Sequence, residues 1–149
     1  MNWFKRTPKK AEQPTDPVKA VSSEDPEMNA AINEARANIK TFFDALMGPQ
    51  DDQTSFLLKV AFTRNDQTEH LWLADLDFPR GKTRGTVANE PAIKGLRFMQ
   101  VVEYDPAYIT DWMYLDHGKL VGGYTTRLIR DRMSPEERTM HDAQAPYKF

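Results

Sequence analysis

A carboxylate beside an imidazole opens the chemical reading of this chain, because Glu69-His70 sets the commonest acid–base partners side by side. Neighbouring residues of a strand point to opposite faces, so Glu69 and His70 do not converge on one substrate unless a bulge turns the strand. The constellation that remains pairs His70 with Asp111 or Glu90 across elements, and it defines the enzymatic alternative: a small hydrolase or ligand-handling enzyme. Other chemistries are weaker. Ser22 and Ser23 fall in a polar tail, Ser55 lacks nucleophile-elbow glycines, and Ser134 reads as a helix cap. His70, His117 and His141 have no metal-ligand partner at a diagnostic spacing, so no metal site is expected, and neither a P-loop nor a dinucleotide glycine fingerprint implies a cofactor. Gly122-Gly123-Tyr124-Thr125 leads from a strand towards a helix carrying Arg127 and Arg130, an arrangement able to hold an anion. The structural reading of the same residues is a close approach of the helix to Trp112, with Arg127 paired to Asp111 or Glu90.

Aromatic residues set against polar ones give the preferred functional reading. Trp72, Trp112, Tyr114 and Tyr124, with Arg127, are of the types that anchor protein recognition. They point to a non-enzymatic binding domain with a protein partner, for instance an immunity-type module, and a small molecule or anion is the other ligand such a surface admits. A formal charge of -2 over 149 residues gives no electrostatic reason to bind nucleic acid. The chain has no cysteine, which excludes disulfides and thiolate chemistry and agrees with a cytoplasmic location. Trp3 and Phe4 ahead of Lys5, Arg6, Lys9 and Lys10 could touch an anionic membrane, but so short a segment weighs against a stable anchor.

The elements that must position these residues follow from composition and period. Residues 1–24 are rich in Pro, Lys, Glu, Asp and Ser and read as a flexible tail. Asp25-Pro26-Glu27 has the chemistry of a helix start. Met28, Ala31, Ile32, Ala35, Ile39, Phe42, Phe43 and Leu46 then continue one apolar stripe to a stop at Gly48-Pro49. From Ser55 the period becomes two, with Phe56, Leu58, Val60 and Phe62 on one face, and Arg64-Asn65-Asp66-Gln67 turns the chain into a second strand through Leu76. A loop around 79–82, a short strand at 83–88, another at 97–104 and a hairpin around Asp116-His117-Gly118 complete the β part. A short helix follows through Leu128 and Met133. Ser134 and Glu137 then have capping-box spacing for another, to about Asp142. The expectation is an α+β fold: one long N-terminal amphipathic helix on a curled, mainly antiparallel sheet of five or six strands, with short C-terminal helices. Residues 25–142 form a single domain in this reading, and 143–149 a loose end.

Glu69-His70-Leu71-Trp72, Asn89-Glu90-Pro91, Asp111-Trp112-Met113 and Gly122-Gly123-Tyr124-Thr125-Thr126-Arg127, in this order after Ala31-Ile32-Asn33-Glu34-Ala35-Arg36, resemble the YegJ-like family of bacterial domains of unknown function. The resemblance runs from about Met28 to Arg138. It implies a bacterial origin and the domain limits, and it carries no established reaction.

Overall fold

The computed structural model describes residues 25–77 and 83–149, so the basic N-terminal tail and the loop at 79–82 lie outside the described residues. Among these there are four α-helices and a six-stranded antiparallel sheet, which is the expected α+β class. Contacts divide the chain into two compact units, one containing Leu57–Ile109 and the other containing residues 25–56 with Thr110–Phe149.

In the first unit, β1 (Gln53–Arg64) from Leu57 onward pairs with β2 (Gln67–Asp77), β2 with β3 (Arg84–Val87), and β3 with β4 (Val101–Glu103), always antiparallel. The two-residue turn between β1 and β2 places Asn65 at φ 50° and Asp66 at φ 63°. Asn and Asp tolerate this left-handed geometry better than other side chains, which is why the sequence turns there. Leu58, Val60 and Phe62 are fully buried, as the period of two requires, and Leu71, Leu73, Val87 and Val102 are buried with them. Each such side chain contributes about 1.5–3 kcal/mol by leaving water. β2 lies between β1 and β3 and breaks register after Ala74, where Asp75 takes φ 46°. The strand expected over 97–104 shrinks to three residues. Arg97–Gln100 instead forms a turn, with the Gln100 N–H donating to the Arg97 carbonyl and Met99 at φ 69°. Phe98 and Met99 are consequently exposed, at 51% and 62%.

In the second unit, the expected long helix is two helices, α1 (Pro26–Ala37) and α2 (Ile39–Met47). The break falls at Asn38, whose side-chain Nδ2 donates to the Glu34 carbonyl at 2.9 Å and so competes with the backbone ladder. The predicted start holds: the Asp25 side chain accepts from the Met28 amide, with Pro26 in the first turn. The β5 (Ile109–Asp116) and β6 (Lys119–Gly122) hairpin turns through His117 and Gly118, at φ 53° and 77°. α3 (Tyr124–Asp131) and α4 (Pro135–Gln144) follow, the latter with the expected Ser134–Glu137 capping box. The strand order is β4-β3-β2-β1-β5-β6, and the curl expected from sequence is not borne out. The C-terminal segment expected to be loose is tied to β6, since Leu120 donates to the Lys148 carbonyl and Lys148 to that of Gly118, at 2.7 and 2.9 Å.

Candidate functional site

The second unit is organised around the junction of β6 and α3. A helix N-terminus leaves amides without intrahelical acceptors, and an N-cap side chain normally answers them. Here the N-cap is Gly123, at φ 66° and without a side chain. Asp111 supplies the missing acceptor from β5. Its Oδ1 accepts from the amides of Trp112 and Tyr124 at 2.8 and 3.1 Å, and its Oδ2 from the Thr125 amide and hydroxyl at 2.9 and 2.5 Å. The carboxylate is fully buried and lies at the positive end of the helix dipole. The anion that this glycine turn can hold is therefore the chain's own Asp111, and the Tyr124 and Thr125 amides are already occupied.

Close approach explains the neighbouring glycine. A Cβ on Gly122 would lie 2.5 Å from both the ring and the carbonyl oxygen of Trp112. Trp112 is 1% exposed, and its indole N–H donates to the Ala35 carbonyl of α1 at 2.8 Å. Around it lie Phe42, Tyr124 and Tyr114, the last stacked in turn on Phe56 at 5.0 Å between centroids. Trp112 and Tyr114, expected on a recognition surface, thus pack the core of this unit, where their rings contribute edge and stacking energy beyond buried area. Arg127, expected to pair with a carboxylate, instead donates from Nε to the Gly122 carbonyl and from Nη2 to that of Leu120, at 2.8 and 2.7 Å.

Tyr124 and Arg127 also face a groove between α1 and α3. The two helices run antiparallel and are clasped at one end. Arg132, after α3, makes a bidentate pair with Asp25, before α1, at 2.9 and 2.7 Å, and Tyr124 opens α3 at the other end. Arg132 holds the Asp25 carboxyl down at about 2, with the Met28 amide adding to the effect. Burial raises the Tyr124 phenol, and the nearby Glu34 and Asp111 carboxylates push it the same way. The groove has a volume of about 480 Å³, with Ala30, Ala31 and Leu128 as its apolar surface and Glu27, Glu34 and Asp131 as its carboxylates. A smaller cavity of about 210 Å³ shares Arg127 and Asp131 with it and adds Arg130 and Phe149.

The remaining sequence-predicted site residues belong to the first unit. Glu69 accepts from the Ala92 and Ile93 amides at 2.8 to 3.2 Å, so it organises the loop after Pro91. Asn89 Oδ1 accepts from the Trp72 amide at 2.8 Å. Trp72 is half-buried under the Lys59 ammonium, 5.3 Å from its ring centroid. His70 is half-buried opposite Ala61, and Glu90 is exposed. Of the catalytic candidates, Asp111 has both oxygens engaged in capping. Sequence reasoning missed the groove residues Ala30, Ala31, Glu34 and Asp131; the helical spacing of Ala30, Ala31 and Glu34 was the available signal.

The family model described as "Uncharacterized protein conserved in bacteria (DUF2314)" matches residues 25–149. The chain is similar to "Uncharacterized protein YegJ" of Escherichia coli strain K12, at 32% identity over 66% of this chain and 63% of the relative. It is also similar to "Putative ankyrin repeat protein NMB1133/NMB1171" of Neisseria meningitidis serogroup B, at 31% identity over 83% of this chain and 52% of that protein. The chain therefore spans less than two thirds of the length of either relative. No solved structure matches it.

Proposed function

The chain belongs to this family of bacterial proteins, and we propose that it is a non-enzymatic binding module whose α1–α3 groove receives a protein partner. The observation that carries the reading is the open groove itself, about 480 Å³ with small apolar side chains between its carboxylates. Its helices are clasped by the bidentate Asp25–Arg132 pair, so a partner meets a surface part of whose ordering cost is already met. Two residues of the expected binding set, Tyr124 and Arg127, line it. The competing hydrolase reading loses Asp111 to helix capping. A cytoplasmic location is part of the proposal, supported by the lack of cysteine. Among the described residues no helix is long and apolar enough to cross a membrane.

The test is affinity capture from the host lysate with the natural chain and with Ala30→Trp, which fills the groove from an exposed position of α1. A protein captured by the natural chain and lost with the equally stable variant is the expected result. Identical captures from both baits would overturn the assignment to this groove.

A further inference from the structure

The charge and shape of the groove say more about its partner, given the reading just proposed. Its lining holds three carboxylates, Glu27, Glu34 and Asp131, and one guanidinium, Arg127, which already donates to the Gly122 and Leu120 carbonyls, while the bordering Arg130 and Arg132 are paired with Asp142 and Asp25. Glu27 lies 3.8 Å from Arg132 on one flank, whereas Glu34 is exposed on α1 and Asp131 is exposed at the end of α3. Between the carboxylates the surface is apolar and low, because Ala30 and Ala31 are small and Leu128 is half-buried. Small side chains let a third helix approach two others closely.

We propose that the occupant is an amphipathic helix of a partner protein, with apolar anchors on Ala31 and Leu128 and a lysine or arginine set between Glu34 and Asp131. The 8 residues of α3 extend for about 12 Å, enough for helix anchors at i, i+4 and i+7. The long stem of a basic side chain covers the apolar floor while its charged head stays at the wet rim beside the carboxylates. Tyr124 adds an aromatic edge to the same wall. Opposite charge selects the partner and its direction, and the shape supplies the buried contact.

The probes are two synthetic helical peptides of about 18 residues, long enough to hold helix in water, with the same apolar face flanked by lysines in one and glutamates in the other. Binding is read by chemical-shift changes at Ala30, Ala31 and Leu128 in the full chain. The lysine peptide is expected to bind, to weaken as salt rises towards roughly 0.5 M, and to lose about ten-fold in affinity for Glu34→Lys/Asp131→Lys. Both substitutions are at exposed helix positions, and a lysine in the last turn of α3 suits its dipole, so the variant keeps its fold. Equal binding of both peptides, blocked by Ala30→Trp, would overturn the basic-partner inference and leave the groove reading standing. Failure of both peptides to shift these residues would overturn both.

Discussion

Replacing Asp111 should destabilise the second unit rather than silence a reaction. The carboxylate accepts from the amides of Trp112, Tyr124 and Thr125 and from the Thr125 hydroxyl, at 2.8, 3.1, 2.9 and 2.5 Å. In Asp111→Ala the first two amides of α3 lose their acceptors at a site closed to water. Loss of an ordinary exposed N-cap costs about 0.5–2 kcal/mol, which sets the floor. Breaking a buried charged network costs about 3–5 kcal/mol, which sets the expectation, because the bonds share one carboxylate and do not add independently. For a chain of this length each kcal/mol lowers Tm by roughly 2–4 °C, so the loss is about 6–20 °C. Asp111→Asn is milder, about 1–2 kcal/mol. Its oxygen keeps the Trp112 and Tyr124 amides, while its NH2 group meets the Thr125 amide donor to donor and is relieved only by the hydroxyl turning to accept. Urea unfolding of the natural chain, both variants, Thr125→Val and the Asp111→Ala/Thr125→Val double variant gives each loss and their coupling. An Asp111→Ala protein within about 1 kcal/mol of the natural chain, or Asp111 and Thr125 effects that simply add, would refute the capping account.

Other consequences follow from the same geometry. Gly122→Ala forces a Cβ to 2.5 Å from Trp112 at φ 77° and should cost about 2–5 kcal/mol in urea unfolding; a neutral outcome would mean the turn relaxes freely. Trp112→Phe should destabilise by about 1–3 kcal/mol through the lost Ala35 bond and the cavity left behind, while peptide binding at the groove by the folded fraction persists. Asp25 has a folded-state pKa lowered to about 2 from 3.8 by Arg132, so its contribution is complete above the higher value and is lost as pH falls through the lower one. The Tm gap between the natural chain and Arg132→Gln should be open at pH 5 and closed near pH 2. His117 sits between Asp116 and Asp52 at 2.6 and 2.8 Å, and Asp116 first, then Asp52, raises its pKa. The stability it contributes is present below its unfolded value and declines as pH rises through the folded one. His117→Gln should remove that decline from the Tm profile.

What the sequence disclosed was whatever depends on near neighbours. Asp25-Pro26, Ser134-Pro135-Glu136-Glu137, Asn65-Asp66 and His117-Gly118 name their caps and turns because both partners lie within a few residues. The Arg97–Gln100 turn escaped because it holds no Gly, Pro, Asn or Asp, and Met99 enters the left-handed region without a residue type that announces it. The split at Asn38 hid inside an unbroken apolar stripe, since Ile32, Ala35 and Phe42 remain buried across it. β5 gave no alternation to read. Every residue from Ile109 to Leu115 is buried, so polar Thr110 and Asp111 mark no solvent face. The aromatic words suggested a recognition surface because sequence places Trp112 beside a carboxylate without saying that the carboxylate is spent on α3.

Asp111-Trp112-Met113 and Gly122-Gly123-Tyr124-Thr125-Thr126-Arg127 are therefore parts of one structural device. Gly122 is required by Trp112, which approaches the backbone too closely for a side chain. The left-handed Gly123 that follows cannot cap α3, and this makes a carboxylate at 111 necessary, with Thr125 to complete it. Arg127 then ties the first turn of α3 back to the end of β6 through the Gly122 and Leu120 carbonyls. Residues so fully committed to each other are poorly placed to take up a substrate, because each new bond would break one already made. What they achieve is to fix the direction in which α3 leaves β6, with Tyr124, Arg127, Leu128 and Asp131 turned to α1. The groove, with Ala30 and Glu34 on one wall and Leu128 and Asp131 on the other, is the surface that this arrangement leaves unoccupied. Substitutions in the device should change how much protein is folded, and substitutions in the groove should change what the folded protein binds.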